Sequence, residues 1–246
     1  MVNDLSLFKQ ELEIPSYLCD RKDRLHPWAA VRLCQEVSEF HSKATGIGYE
    51  ELLQQNRIWI ISRAYYVIYK RPEAFEKVML STWSRGNDGL FAFRDYRMQN
   101  TAGETLLAGT TYWPMIEFNT RKPIRLKELM VNYNYRQEEA TNHSVLERLR
   151  LPDMSEPDGC FDQLALHSLI DHAQHVNNSE YVKLVFDSMA QTDFDFDKPF
   201  DIEVNYQHET QPNDMLSVLR KQDNDATFIE IRNSRGLSVA AKIMQF

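Results

Sequence analysis

The chain is predicted to be an α+β protein in which an antiparallel sheet wraps round one long helix, and this arrangement occurs twice. Three observations predict it. An amphipathic helical stretch follows a first strand, four strand-like segments then come at hairpin spacing, and the same order of elements restarts near residue 160.

Residues 12–19 read as the first strand, Arg21-Lys22-Asp23-Arg24 as a charged connection, and His26-Pro27 as the opening of a helix, where proline's missing N–H costs nothing. From Trp28 to Ala44 the apolar residues Ala30, Val31, Cys34, Val37, Phe40 and Ala44 recur at three- and four-residue steps, and Gly46 and Gly48 stop the helix. Strands are expected over 58–69, 74–83, 90–99 and 105–118, separated by turn residues such as Arg85-Gly86-Asn87-Asp88-Gly89. Pro114 inside the last strand deletes a ladder hydrogen bond, which predicts an edge or a bulge.

Residues 121–159 lose periodicity and read as a surface connection with a short helix-like stretch at 142–150. The second unit then has a strand at 161–169, a helix at 176–189, and strands at 201–208, 215–222, 227–233 and 237–245. The expected division is an N-terminal unit over 1–125, a connection over 126–158 and a C-terminal unit over 159–246. Two such sheets would join edge to edge, which hides exposed strands.

Composition narrows the function. A hydrophobic fraction of 43% is that of a folded globular protein, and the net charge of -8 argues against general nucleic-acid binding. No apolar run reaches the ~20 residues of a membrane span, and the N-terminus lacks a basic and an apolar region, so a cytoplasmic location is expected. Cys19, Cys34 and Cys160 form no CxxC motif and read as small buried hydrophobes.

The most informative stretch runs from Leu169 to Tyr181. It concentrates Asp171, His172, Gln174, His175, Asn177 and Asn178 where a strand ends and a helix begins. Such groups are costly to bury unless paired or used, and a helix start offers unpaired N–H donors. With the helix starts aligned, His26 matches His175, while Pro27-Trp28 stands where Val176-Asn177-Asn178 stands. Chemistry is therefore expected in the second half and binding in the first.

Several stretches resemble the fatty-acyl-ACP thioesterases of plants and bacteria. They are Leu33-Cys34-Gln35-Glu36 with His41, Trp59-Ile60-Ile61-Ser62-Arg63, Ser81-Thr82-Trp83, Trp113-Pro114-Met115-Ile116 to Thr120-Arg121-Lys122, Asp171 to Asn178, and Tyr206-Gln207-His208-Glu209. The resemblance implies a tandem double hotdog fold and hydrolysis of a fatty acyl thioester on acyl carrier protein, with no cofactor and no metal. The family pattern Asp-x-Asn-x-His-Val-Asn-Asn, with a later Glu, is matched by Asp171, His175, Val176, Asn177, Asn178 and Glu209, but Ala173 stands where the family has Asn. Gln174, His172 or a backbone donor is expected to replace that amide. Thr210 follows Glu209 where some members have Cys, and an unactivated hydroxyl is a poor nucleophile, which favours attack by water.

In this reading Glu209 is a buried general base, Asp171 orients His175 or shares the water, and N–H groups from Val176 to Asn178 form an oxyanion hole. Plainer readings stand beside these: Asn177 or Asn178 as an N-cap, His175 as a core histidine, and Glu209 facing solvent on a strand. A metal cluster of His167, Asp171, His172, His175 and His208 lacks helical HExxH spacing. The basic run Arg121, Lys122, Arg125 and Lys127, with Arg63, Lys70 and Arg71 as a second group, is the expected docking face for the acidic carrier. By family analogy the acyl chain lies beside Val31, Cys34 and Val37. A thioesterase acting on acyl-CoA and a non-catalytic acyl-binding protein are the alternatives, and a homodimer is compatible with either.

Overall fold

The computed structural model describes residues 5–127, 133, 135–143, 145–190 and 192–246. In the first half, β1 (Phe8–Glu13) and a single 3-10 turn (Ser16–Leu18) precede α1 (Pro27–Ala44) and a short α2 (Tyr49–Leu53). Then come β2 (Arg57–Trp59), β3 (Arg63–Ile68), β4 (Lys77–Asn87), β5 (Phe91–Asn100), β6 (Thr105–Glu117) and β7 (Pro123–Ile124). The second half has β8 (Gly159–Leu164), a 3-10 turn (His167–Leu169), α3 (Asn178–Asp187), β9 (Phe200–Tyr206), β10 (Met215–Asp223), β11 (Ala226–Asn233) and β12 (Gly236–Gln245).

Local chemistry explains most of these bounds. Pro27 opens α1, whose buried face runs through Ala30, Cys34, Val37 and His41 at helical steps. Asn177 caps α3 by accepting from the Ser179 N–H at 2.9 Å. The strand expected at 12–19 is displaced to Phe8–Glu13, because Pro15 leads the chain into a 3-10 turn whose apolar residues mimic strand alternation. The strand at 161–169 is shortened in the same way.

The two expected sheets are halves of one 12-stranded sheet, ordered β1-β4-β5-β6-β3-β9-β12-β11-β10-β8, with β2 and β7 pairing β6. The seam is β3 with β9, six antiparallel pairs from Arg63 opposite Asn205 to Ile68 opposite Phe200. Pro114 is not on a sheet edge. It lies opposite Phe91 of β5, where the strand on the other side of β6 is interrupted between β2 and β3. The interruption accommodates a residue without an N–H. Deeper in β6, Gly109 faces the Tyr66 ring, and a Cβ there would come 2.4 Å from Tyr66 Cδ1.

One hydrophobic cluster joins Ala30, Cys34 and Val37 of α1 and Val182 and Val185 of α3 to strand residues of both halves, including Leu80, Met98, Ile202 and Val218. The helices also meet directly, through Arg32 Nε to Ser179 Oγ at 2.9 Å and the Arg32–Glu180 ion pair. Cys34 is buried, but Cys19 is only partly so and Cys160 is exposed on β8, which corrects the expectation for two of the three. No described helix is long and apolar enough to cross a membrane.

The connection has no helix at its described positions. Its described residues form a strap tied to the sheet. Trp83 Nε1 donates to Glu138 O at 2.7 Å, the Ala140 N–H to Asp95 Oδ2 at 2.7 Å, and the Leu149 N–H to Asn205 Oδ1 at 2.7 Å. These ties satisfy strap backbone groups that form no ladder of their own.

Candidate active site

The sequence duplication becomes an exact backbone correspondence at the helix entrances. In the first half, the Asp20 N–H donates to Arg24 O, the Leu25 N–H to Pro72 O and the His26 N–H to Leu18 O. In the second, the Asp171 N–H donates to His175 O, the Val176 N–H to Thr210 O and the Asn177 N–H to Leu169 O. Arg24 therefore corresponds to His175 and His26 to Asn177, two residues away from the alignment expected from the sequence. Shared imidazoles suggested the wrong register, and the carbonyl partners set the right one.

The same correspondence places Arg71, just before Pro72, against Glu209, just before Thr210. In the first half this corner is closed by an ion pair: Arg71 is buried, with Nη1 2.6 Å from Asp20 Oδ2 and Nη2 2.7 Å from Asp197 Oδ1. Arg71 is thus committed inside the protein and unavailable for carrier docking. In the second half the equivalent positions hold two carboxylates, Asp171 and Glu209. The cation comes instead from the other half, because Arg121 Nη2 pairs with Glu209 Oε1, while the second oxygen lies 3.2 Å from His175 Nε2.

The Asp171 carboxylate forms no hydrogen bond to the His175 ring. Its Oδ1 accepts from the Ala173 N–H at 2.9 Å and its Oδ2 is 3.4 Å from Asn177 Nδ2, so its carboxylate organises the turn that presents the imidazole. Gln174 is the turn residue with φ +65 and is exposed, away from the cavity lining. Glu209 is not buried: its side chain is 39% exposed. Its setting is electrostatic, made by one cation and one imidazole.

These groups border a cavity of about 430 Å³ shared by both halves. Asp171, Ala173, His175, Val176, Asn178 and Glu209 line it from the second half. Trp59, Trp113, Arg94 and Arg121 line it from the first, and His172 meets the Tyr49 ring edge-on at 4.6 Å between centroids. Val31, Cys34 and Val37 are packed in the core instead, and α1 turns Gln35, Ser38, Glu39 and Ser42 toward the cavity. Periodicity located the buried face of the helix as far as Val37, but Phe40 and Ala44 are exposed, and the cavity follows the neighbouring row.

The head of α3 has fewer unpaired N–H groups than the sequence reading expects. The N–H groups of Val176 and Asn177 are spent on Thr210 O at 3.1 Å and Leu169 O at 2.9 Å. Asn177 is an N-cap, with Ser179 Oγ also donating to its Oδ1 at 2.7 Å. Asn178, the first residue of α3, lines the cavity and lies in the first turn, where N–H groups have no intrahelical acceptor. Thr210 is buried and bound to Ser238 and Asn233, removed from any nucleophilic role. Among the described residues no three His, Cys, Asp or Glu side chains converge as a metal site. Lys122, Arg125 and Lys127 are exposed. The role of Arg121 beside Glu209 was missed at the sequence level, where only its charge was visible.

Two family models match the chain: the acyl-ACP thioesterase N-terminal domain over residues 6–133 and the acyl-ACP thioesterase C-terminal domain over residues 166–246. Among curated proteins, the chain is 23% identical to an oleoyl-acyl carrier protein thioesterase 2 of Arabidopsis thaliana, over 98% of this chain and 70% of that protein. It is 24% identical to a palmitoyl-acyl carrier protein thioesterase of Gossypium hirsutum over 76% of this chain, spanning about half of that protein (48%). Among solved structures, an acyl-ACP thioesterase from Bacteroides thetaiotaomicron superposes with a TM-score of 0.84 at 21% identity, covering all of both chains. A 12:0-ACP thioesterase from Umbellularia californica gives 0.85 at 19% identity, over 100% of this chain and 99% of the other.

Proposed function

Because the chain belongs to the acyl-ACP thioesterase family, we propose that it hydrolyses the thioester of a fatty acyl group carried on acyl carrier protein, releasing free acid and carrier by direct attack of water. The observation that carries this reading is the His175–Glu209 pair, 3.2 Å apart at the wall of a cavity built by both halves.

In this mechanism Glu209, held by Arg121 and His175, takes a proton from the attacking water, and the imidazole fixes that water against the thioester carbon. The negative charge that develops on the carbonyl oxygen is met at the head of α3, where Asn178 lines the cavity. Asp171 positions this machinery through its turn. Gln174 and the N–H groups of Val176 and Asn177 are left with structural work. We read the chain as an N-terminal acyl-binding unit (1–125), a strap (126–158) and a C-terminal catalytic unit (159–246), each unit curling its strands round its own helix as in a tandem double hotdog. Lys122, Arg125 and Lys127 offer the acidic carrier a basic face beside the cavity mouth formed by Arg121.

The test is hydrolysis of a panel of acyl-ACPs, with His175→Ala as control. Turnover by the native protein and a loss of at least a hundredfold in the variant are expected, and equal rates would reject the assignment. Reversing Lys122, Arg125 and Lys127 to Glu is expected to lower kcat/KM for acyl-ACP roughly tenfold while leaving the CoA ester unaffected. An equal fall for both esters would exclude electrostatic docking of the carrier.

A further inference from the structure

Arg94 of β5 lines the same cavity from the first half and is 8% exposed. A guanidinium keeps its charge, and buried charges are normally paired. The chain follows that rule elsewhere: buried Arg71 has Asp20 and Asp197, and Arg85 has Asp95 and Glu139. Among the described residues no carboxylate lies within ion-pairing distance of Arg94.

Its side chain donates to neutral acceptors: His41 Nδ1 at 2.9 Å, Thr82 Oγ1 at 3.3 Å and Ser42 Oγ at 3.2 Å. Because Nδ1 faces a donor, His41 carries its proton on Nε2 and gives it to Leu5 O at 2.9 Å. Burial and the neighbouring guanidinium pull His41 down to about 4, so it adds no positive charge. The arrangement holds the guanidinium in place without neutralising it. Ser42 and Ser84 stand on the cavity wall beside it. A plain alkyl chain lying there would cover a charged donor with methylene groups and give it nothing to bind.

We infer that this wall is a subsite for an acceptor oxygen carried by the acyl group, so that chains bearing a hydroxyl, keto or terminal carboxylate group are hydrolysed in preference to the saturated chain of equal length. The inference rests on the thioesterase reading above for its catalytic half but not for its binding half. A site built to bond a substrate oxygen discriminates strongly against the analogue that lacks it.

The experiment compares kcat/KM for carrier thioesters of one carbon count, saturated against the three oxygenated forms, in the native protein, Arg94→Met and Arg94→Lys. Support is a preference of about tenfold or more for at least one oxygenated ester, falling to near unity in Arg94→Met and to an intermediate value in Arg94→Lys. A native protein that turns over the saturated ester as well as every oxygenated one overturns the inference, and this comparison needs no variant to fold. A preference that survives Arg94→Met also overturns it. The free acids are titrated calorimetrically in parallel. Tighter, Arg94-dependent binding of an oxygenated acid by a protein that hydrolyses none of the esters would reject the hydrolase and retain the subsite.

Discussion

The two copies of the helix-entrance corner carry different chemistry at equivalent positions, which allows a crossed experiment. Glu209→Gln keeps the size and one acceptor but removes the charge. The Glu209 side chain is 39% exposed and Arg121 is 40% exposed, so the lost pairing costs stability only about 0–1 kcal/mol, a Tm change within roughly 4 °C. If Glu209 is the base, kcat falls by about 10²–10⁴, roughly 3–5 kcal/mol of barrier. Arg71→Gln is the mirror case. Arg71 is 5% exposed and, among the described residues, its removal takes the only cation from Asp20 and leaves Asp197 with Lys22 alone, a loss on the order of 3 kcal/mol and a Tm fall of roughly 6–12 °C. The folded fraction should keep near-native kcat. The assays are thermal unfolding by circular dichroism and single-turnover hydrolysis on the same preparations. The reasoning is refuted if Glu209→Gln loses stability in proportion to activity, or if Arg71→Gln lowers kcat as far as Glu209→Gln does.

Two further outcomes follow from the packing. His41 is held at about 4, below the ordinary value of 6.5, first by burial and second by Arg94. The unfolded chain therefore binds the proton first. The stabilisation from neutral His41 is complete above pH 6.5 and is lost as pH falls toward 4, by up to roughly 3 kcal/mol. His41→Asn should remove this dependence, so urea unfolding curves for native and variant proteins that stay parallel from pH 7 to 4.5 would contradict it. Gly109→Ala should cost about 1–3 kcal/mol, since its Cβ meets the buried Tyr66 ring at 2.4 Å, and an unchanged Tm would show that the ring moves freely.

Much of this architecture is legible in the residues. The three-and-four-step row that begins at Ala30 marks α1, and strand-like runs between turn residues at hairpin spacing mark the strands, because both signals are local. What escapes is whatever depends on register or distance. The equivalence of His175 with Arg24 is set by the carbonyls that Val176 and Leu25 find, which side-chain identity does not encode. Arg121 and Glu209 are 88 residues apart and belong to halves joined through the β3–β9 seam. Arg94 carries no signal of its own, since a lone basic residue in a strand usually faces solvent. Val31, Cys34 and Val37, expected beside the acyl chain, lie one helical row away from the cavity, because hydrophobic spacing identifies the packed face and is silent about the face beside it.

The seam has a consequence for how such a protein can arise. Two identical chains related by symmetry would necessarily put the same residue at the positions held here by Arg71 and Glu209. They would be locked twice, or left twice with unneutralised acids. Covalent fusion of the copies releases that constraint: one corner is fastened by Arg71, the other keeps two acids, and the cation it lacks is borrowed from the sister copy. The difference between the two corners is therefore a property of asymmetry within a single chain, unreachable by self-association of either half.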